Sequence, residues 1–175
     1  MTKPVINVAD AQTRAGENGA HFAYSMTDLA SALGARAIGA NITRIPPGRA
    51  AFPLHHHHTN EEHFFILSGS GVLRHGGDVH DVKADDYIVM LPGGADRAHQ
   101  LVNTGDQELV FLAISTEVFP EVIGYPDSAK TGVRIVPTDD RDAIWFMVAD
   151  DAKDAVSYWD DEDGARVAAL VAERG

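Results

Sequence analysis

Five of the chain's nine histidines fall between His55 and His63, in the run Leu54-His55-His56-His57-His58-Thr59-Asn60-Glu61-Glu62-His63. Neutral imidazole and carboxylate are both metal ligands, and a metal held by one sheet needs its ligands on one face. Side chains of a strand alternate, so His55 and His57 point one way while His56 and His58 point the other. Either pair could ligate, with Glu61 or Glu62 supplying a hard oxygen soon afterwards. A further histidine must come from a distant strand. His99, soon after the turn Pro92-Gly93-Gly94, is the candidate. Three imidazoles and one carboxylate favour Mn, Fe, Ni, Zn or Co over Mg or Ca. Four protein ligands leave positions open on a six-coordinate ion, which suits catalysis or ligand capture better than a closed structural site. A solvated histidine loop is the bland reading. The run's place mid-chain, between Pro53 and a strongly β segment, argues against it.

These side chains need strands to hold them. Arg36–Ile45 alternates with Ile38, Ala40 and Ile42 on one side, the mark of a half-buried strand. Further strands are expected at Glu62–Ser68, Val72–His75, Val79–Lys83, Tyr87–Leu91, Ala98–Asn103 and Glu108–Thr116, separated by Gly, Pro and Asp turns. Gly76-Gly77 between apolar runs signals a hairpin, because a primed turn needs positive φ. Short strands at this spacing mean a β-sandwich or barrel, not a Rossmann or P-loop fold. Residues 1–35 read as an extension with one short strand at Val5–Val8, and Phe22–Leu33 has some helical spacing. Residues 118–142 read as loop, with Pro120, Pro126 and Pro137. One more strand is expected at Ala143–Val148 and a C-terminal helix at Asp161–Arg174, with Val167, Leu170 and Val171 on one face. The organisation expected is therefore an extension (1–35), a barrel (36–117) and a C-terminal extension packing on it (118–175).

Composition narrows the chemistry. Of 175 residues, 45% are hydrophobic, enough for a sizeable core in one domain. Lys and Arg number 14 against 26 Asp and Glu, a net charge of −12 that disfavours nucleic-acid and anionic-membrane partners. The acids crowd the tail, including Asp160-Asp161-Glu162-Asp163, which a solvated face explains. With no cysteine there is no disulfide, thiolate zinc site or cysteine nucleophile, which fits a reducing cytosol. No apolar run approaches the ~18–20 residues of a membrane span. A cytoplasmic protein is the expectation.

The same residues resemble a known family, the cupins, whose fold is a double-stranded β-helix or jelly roll. Their first motif is written G(X)5HXH(X)3,4E(X)6G. This chain has Gly48, six residues, then His55-X-His57-(X)4-Glu62-(X)6-Gly69. The second is written G(X)5PXG(X)2H(X)3N. Here Pro92-Gly93-Gly94 is followed by four residues and then His99-(X)3-Asn103, with Asp86 where the opening glycine belongs. The likeness spans residues ~45–117. It implies an all-β jelly-roll barrel carrying one divalent transition ion (Mn, Fe, Ni or Zn) on His55, His57, Glu62 and His99. The frame His56, His58 and Glu62 also fits the permitted spacer, but Gly48 stands nearer its expected distance in the first frame. Parity then turns Phe64 and Ile66 inward with Glu62, and Leu101 and Asn103 inward with His99. His63 faces outward, and His75, His80, Tyr87, Arg97 and Gln100 read as surface groups. The resemblance leaves two functions open. One is a metal-dependent enzyme of dioxygenase, isomerase or decarboxylase type on a small carboxylate, phenolic or sugar-like molecule. The other is a non-catalytic module that binds such a ligand. A homodimer is expected, because the N-terminal strands have no place in one closed barrel and unpaired edges are usually covered.

Overall fold

A computed structural model describes residues 3–136, 144–150 and 157–174. The strands are β1 (Thr13–Asn18), β2 (Phe22–Asp28), β3 (Ile38–Ile45), β4 (His56–His57), β5 (Glu62–Ser68), β6 (Ser70–His75), β7 (Asp78–Lys83), β8 (Tyr87–Met90), β9 (His99–Val102), β10 (Leu109–Thr116), β11 (Glu121–Tyr125), β12 (Lys130–Ile135) and β13 (Ile144–Ala149); one helix, α1 (Ala165–Arg174), follows. One layer has the strand order β1-β2-β3-β10-β5-β8. The other runs β7-β6-β9, crosses the antiparallel bridge between His99 and His55, and continues β4-β11-β12-β13. Every strand pair is antiparallel, as expected of a jelly roll.

The layers meet over an apolar core. Ile45, Phe64, Ile66, Leu109 and Phe111 from the first face Leu73, Val82 and Leu101 from the second. Alternation along β5 puts Phe64 and Ile66 inside and therefore turns Glu62 inward at the strand's mouth, where the core gives way to the site. The β6–β7 hairpin closes at Gly76-Gly77, with Gly76 at φ 56°.

Several expectations need correction. Val5–Val8 is not a strand; a 3-10 turn occupies Val8–Asp10. Phe22–Asp28 is extended and pairs with both β1 and β3, so the helical spacing of Phe22 and Met26 yields to sheet pairing. Residues 118–136 are not a loop. They carry β11 and β12, with Pro120 just before β11 and Pro126 just after it, so these prolines bracket strands instead of interrupting them. Pro137 and Ala143 lie outside the described residues, and β13 begins at Ile144. The helix starts at Ala165, because Asp161 (φ 60°) and Gly164 (φ 71°) break the backbone; Asp163 Oδ1 then caps it, accepting from Ala165 N at 2.8 Å. Val167 and Leu170 pack against Phe22, Val72 and Val102.

The acidic run is not wholly solvated either. The Glu162 side chain is 4% exposed and lies 3.2 Å from Lys130 Nζ, which is itself 1% exposed and donates to the Tyr158 and Asp160 carbonyls. Breaking such a pair strands a buried ammonium. Glu162→Ala should therefore cost about 3–5 kcal/mol in urea unfolding, and the double change Lys130→Met with Glu162→Leu should recover most of it.

Candidate metal centre

Three chain segments deliver four side chains to one point. His55 and His57 come from β4 and the residue before it. Glu62 opens β5, and His99 opens β9. The local sequence explains the aim of each. Backbone bonds His55 N to His99 O (3.2 Å) and His99 N to His55 O (2.8 Å) lay the histidine run against β9. On its other side Ile123 and Gly124 of β11 pair with His57 and His56. His56 then points outward, where its Nδ1 meets the Gly93 carbonyl at 2.8 Å and its ring fills the space a Cβ on Gly124 would take. His58 also points outward, beside His56. The four residues between Gly94 and His99, two more than the motif's spacer, hold a 3-10 turn, Ala95–Arg97, which absorbs the extra length and still delivers His99. The left-handed residue of the preceding turn is Asp85 (φ 74°), not Asp86, whose carboxylate instead accepts from Lys83 N.

One ligand atom from each of His55, His57, Glu62 and His99 lies within 4.8 Å of the others. Glu62 Oε2 is the hub, 2.8 Å from His99 Nε2, 3.3 Å from His57 Nε2 and 3.9 Å from His55 Nε2. The tautomers favour ligation. His55 Nδ1 lies 2.9 Å from the Pro53 carbonyl, which as an acceptor fixes the proton there and leaves Nε2 a free lone pair facing Glu62. Both ring nitrogens of His57 are buried with no hydrogen-bond partner, an arrangement that costs free energy unless something else engages them. A divalent ion fits this donor set.

Sequence reasoning missed the groups behind the four clustered side chains. Glu121, 1% exposed, lies with Oε1 3.5 Å from His57 Nδ1. Its carboxylate accepts from Asn60 Nδ2 (2.5 Å) and Thr59 N (3.3 Å), and Asn60 Oδ1 accepts from Val118 N and the Thr116 hydroxyl. A carboxylate behind Nδ1 orients an imidazole so that Nε2 faces the metal. Tyr125 of the same strand stacks on His55, with ring centroids 6.2 Å apart. The visible signal was the pair of short β-rich runs flanking Pro126. Of the other singled-out residues, Gln100 is buried, not at the surface, and bonds the Phe52 carbonyl and Arg74. Asn103 is fully buried but serves the fold, bonding the Ile45 and Gln107 carbonyls and Gly105 N. His63 lies outside the cluster, between Tyr87 Oη and Glu61 Oε1, each at 2.6 Å. His75 and His80 sit on the β6–β7 hairpin, away from the four. The cluster lines a cavity of about 1690 Å³ together with Tyr24, Phe52, Phe64 and Trp159.

A family model described as the cupin domain matches residues 41–115, which contain all four clustered side chains. The likeness to the cupin family thus covers this domain, 75 of the chain's 175 residues. No curated protein matches it. Among solved structures, a sugar phosphate isomerase of the cupin superfamily from Silicibacter pomeroyi shares the fold with TM-score 0.76 and 21% identity, over 88% of this chain and 98% of that one. A protein from Acidithiobacillus ferrooxidans, described provisionally as a sugar phosphate isomerase, aligns at TM-score 0.62 and 26% identity over 76% of this chain and 82% of that one. A predicted oxalate decarboxylase from Thermotoga maritima aligns at TM-score 0.57 and 27% identity over 65% and 99%. Among the described residues no helix is long and apolar enough to cross a membrane.

The electrostatics of the cupin cluster are opposed. Burial, then the His99 and His57 charges, push His55 down to about 3. Burial also opposes a charge on His57, but the Glu121 and Glu62 carboxylates outweigh it and raise its pKa to about 9. Burial opposes charge on Glu62 too, yet His57 and His99 hold its pKa well below the usual carboxylate range. The signs follow for protein stripped of metal. His57 titrates higher folded than unfolded, so its stabilisation is complete below about pH 6.5 and lost as pH rises through about 9. His55 is neutral in the fold while the unfolded chain protonates, so stability also falls as pH drops from about 6.5 toward 3. Thermal unfolding of chelator-treated protein should peak near pH 6.5, and His57→Gln should flatten the alkaline limb. An unchanged alkaline limb in that variant would contradict the assignment.

Proposed function

We propose that His55, His57, Glu62 and His99 bind one divalent transition ion (Mn, Fe, Ni or Zn), and that the protein is an enzyme of isomerase or decarboxylase type on a small anionic, oxygen-rich molecule. The observation that carries this is the convergence of the four donors, with both ring nitrogens of His57 buried and held only by the looser approach of Glu62 and Glu121 at 3.3 and 3.5 Å. When bound, the ion supplies a Lewis-acid centre that polarises substrate oxygens. The chain's own groups do the rest. His55, held by Pro53, and His57, backed by Glu121, are fixed before a ligand arrives. Phe52, Phe64 and Tyr125 give the cavity aromatic walls. Arg14 and Arg134 line the same cavity. Arg14 has no carboxylate at ion-pair distance among the described residues, its guanidinium meeting Met26 Sδ at 3.2 Å, so it is available to an anionic substrate group. The relatives from A. ferrooxidans and T. maritima, described as acting on a sugar phosphate and on oxalate, support an anionic substrate.

Metal analysis of purified protein tests the ligand set. His55→Ala, His57→Ala and His99→Ala should strip the ion, and Glu62→Gln should weaken it. His56→Ala, His58→Ala and Glu61→Gln should leave content near one per chain. Glu121→Gln should weaken affinity by roughly 10–100-fold without emptying the site at saturating metal. If the even-numbered histidines prove essential instead, the ligand frame is wrong.

The metal-loaded protein should then be screened for turnover against carboxylates and sugar phosphates. Tight binding without turnover throughout the panel would favour the non-catalytic module.

A further inference from the structure

We propose that Phe119, Arg134 and Trp145, on the cavity wall beyond Glu121, form a subsite for the ring of an aromatic acid, so that the substrate taken by the metal centre is an aryl carboxylate or phenolate and not oxalate or a sugar phosphate. The proposal rests on the functional reading above and names the substrate class of that same site.

Strand register places the residues. Glu121, Arg134 and Trp145 are neighbours across β11, β12 and β13, and Ile123, Gly132 and Met147 form the next row on the same face. That face looks into the cavity: Glu121 backs His57, and Ile123 and Met147 are buried in its wall. Trp145 therefore stands two strands, about 10 Å along the sheet, from Glu121. Its ring leans over the bare backbone of Gly132, where a Cβ would lie 3.4 Å from Trp145 Cζ3 and from Met147 Sδ. Phe119 lies on the other flank of the row. The guanidinium carbon of Arg134 sits 4.7 Å from the centre of its ring, a cation–π contact. Two rings and a cation thus share one stretch of wall, and all three line the cavity that holds His55, His57, Glu62 and His99.

What this wall takes follows from what it lacks. Other rings of the cavity are already paired, Phe64 with Phe111, Tyr24 with Phe52 and Tyr125 with Tyr158. Trp145 packs on no other ring among the described residues, and at an inward-facing position it is still 49% exposed. A large ring left open on a cavity wall offers its face to a second ring. Arg134 has one carboxylate partner among the described residues, Glu117, at a loose 3.4 Å. Its planar guanidinium keeps donors for an ionised oxygen carried by that second ring. An aromatic acid with oxygens at both ends can meet Arg134 with one end and the metal donors with the other. Oxalate is too short to reach Trp145 from the metal donors. A sugar phosphate is long enough, but its hydroxyls would lie against Ile123 and Met147, which offer them no hydrogen bond.

The test is titration calorimetry of the full, metal-loaded chain with three probes: 3,4-dihydroxybenzoate, oxalate and glucose 6-phosphate. The dihydroxybenzoate should bind roughly 10-fold more tightly than either of the others. Trp145→Ala and Phe119→Ala should each weaken it by roughly 3–10-fold, with oxalate affinity, metal content and far-UV dichroism unchanged. Arg134→Gln should weaken it by roughly 10-fold. Trp145→Phe, which keeps a ring, should restore most of what Trp145→Ala loses. Oxalate or glucose 6-phosphate binding as tightly as the aromatic acid would overturn the proposal. So would an affinity for dihydroxybenzoate that ignores both alanine substitutions, or a loss that Trp145→Phe does not repair. In chelator-treated protein the aromatic acid should bind more weakly and keep its dependence on Trp145. A chain that never holds an ion, yet shows that dependence, would sink the metal assignment alone.

Discussion

Glu62 is a half-buried carboxylate with three imidazoles turned toward it, and the rest of the molecule is arranged around that encounter. A lone buried carboxylate is costly, and so is a knot of imidazoles that can share few protons. Each compensates the other only if both histidines of β4, the first residue of β5 and the first of β9 arrive at one point. That requirement dictates the curl of the two layers. β5 must enter the core with Phe64 and Ile66 inside so that Glu62 sits at its mouth, and β4 must lie between β9 and β11. The buried Glu121–Asn60 network extends the same logic outward, tying the imidazole of His57 to the backbone at Val118.

Much of this could be read from residues, because the governing rule was strand parity. His55 and His57 fall together for the same reason that Phe64 and Ile66 do, and no tertiary information is needed to see it. The path to His99 was less readable from its irregular spacer; a 3-10 turn absorbs it without moving the strand that follows. What escaped were contacts whose meaning depends on partners far along the chain. Glu121 looks like one more acid after a proline until β11 places it behind His57. Glu162 looks like one of a solvated run until Lys130 is found beneath it. Phe22 and Met26 have helical spacing, and only pairing with β1 and β3 decides for a strand. Local pattern reports which way a side chain faces. It does not report what waits there.

The two layers are not equivalent. In the first, β5, β8 and β10 are apolar on both faces, and one of those faces is the interior core. The second layer is apolar inward but carries the tail, with Lys130 and Glu162 buried under the segment that leads into α1. The acidic C-terminal segment is thus part of the packed structure, and its charge is partly used to neutralise a lysine that the strand β12 brings inside.

The shortest strand has a kinetic implication. β4 is two residues long, yet it is the seam at which β7-β6-β9 joins β11-β12-β13. A short set of backbone contacts closes that seam: the His55–His99 pair, His58 N to Val122 O, Gly93 N to His57 O, and the two-residue pairing of His56 and His57 with Gly124 and Ile123. A seam so narrow can open without melting either half, and partial openings of this kind occur well below the free energy of global unfolding. Because His57 stands on the seam itself, closing the seam and seating its imidazole among the four donors are one event.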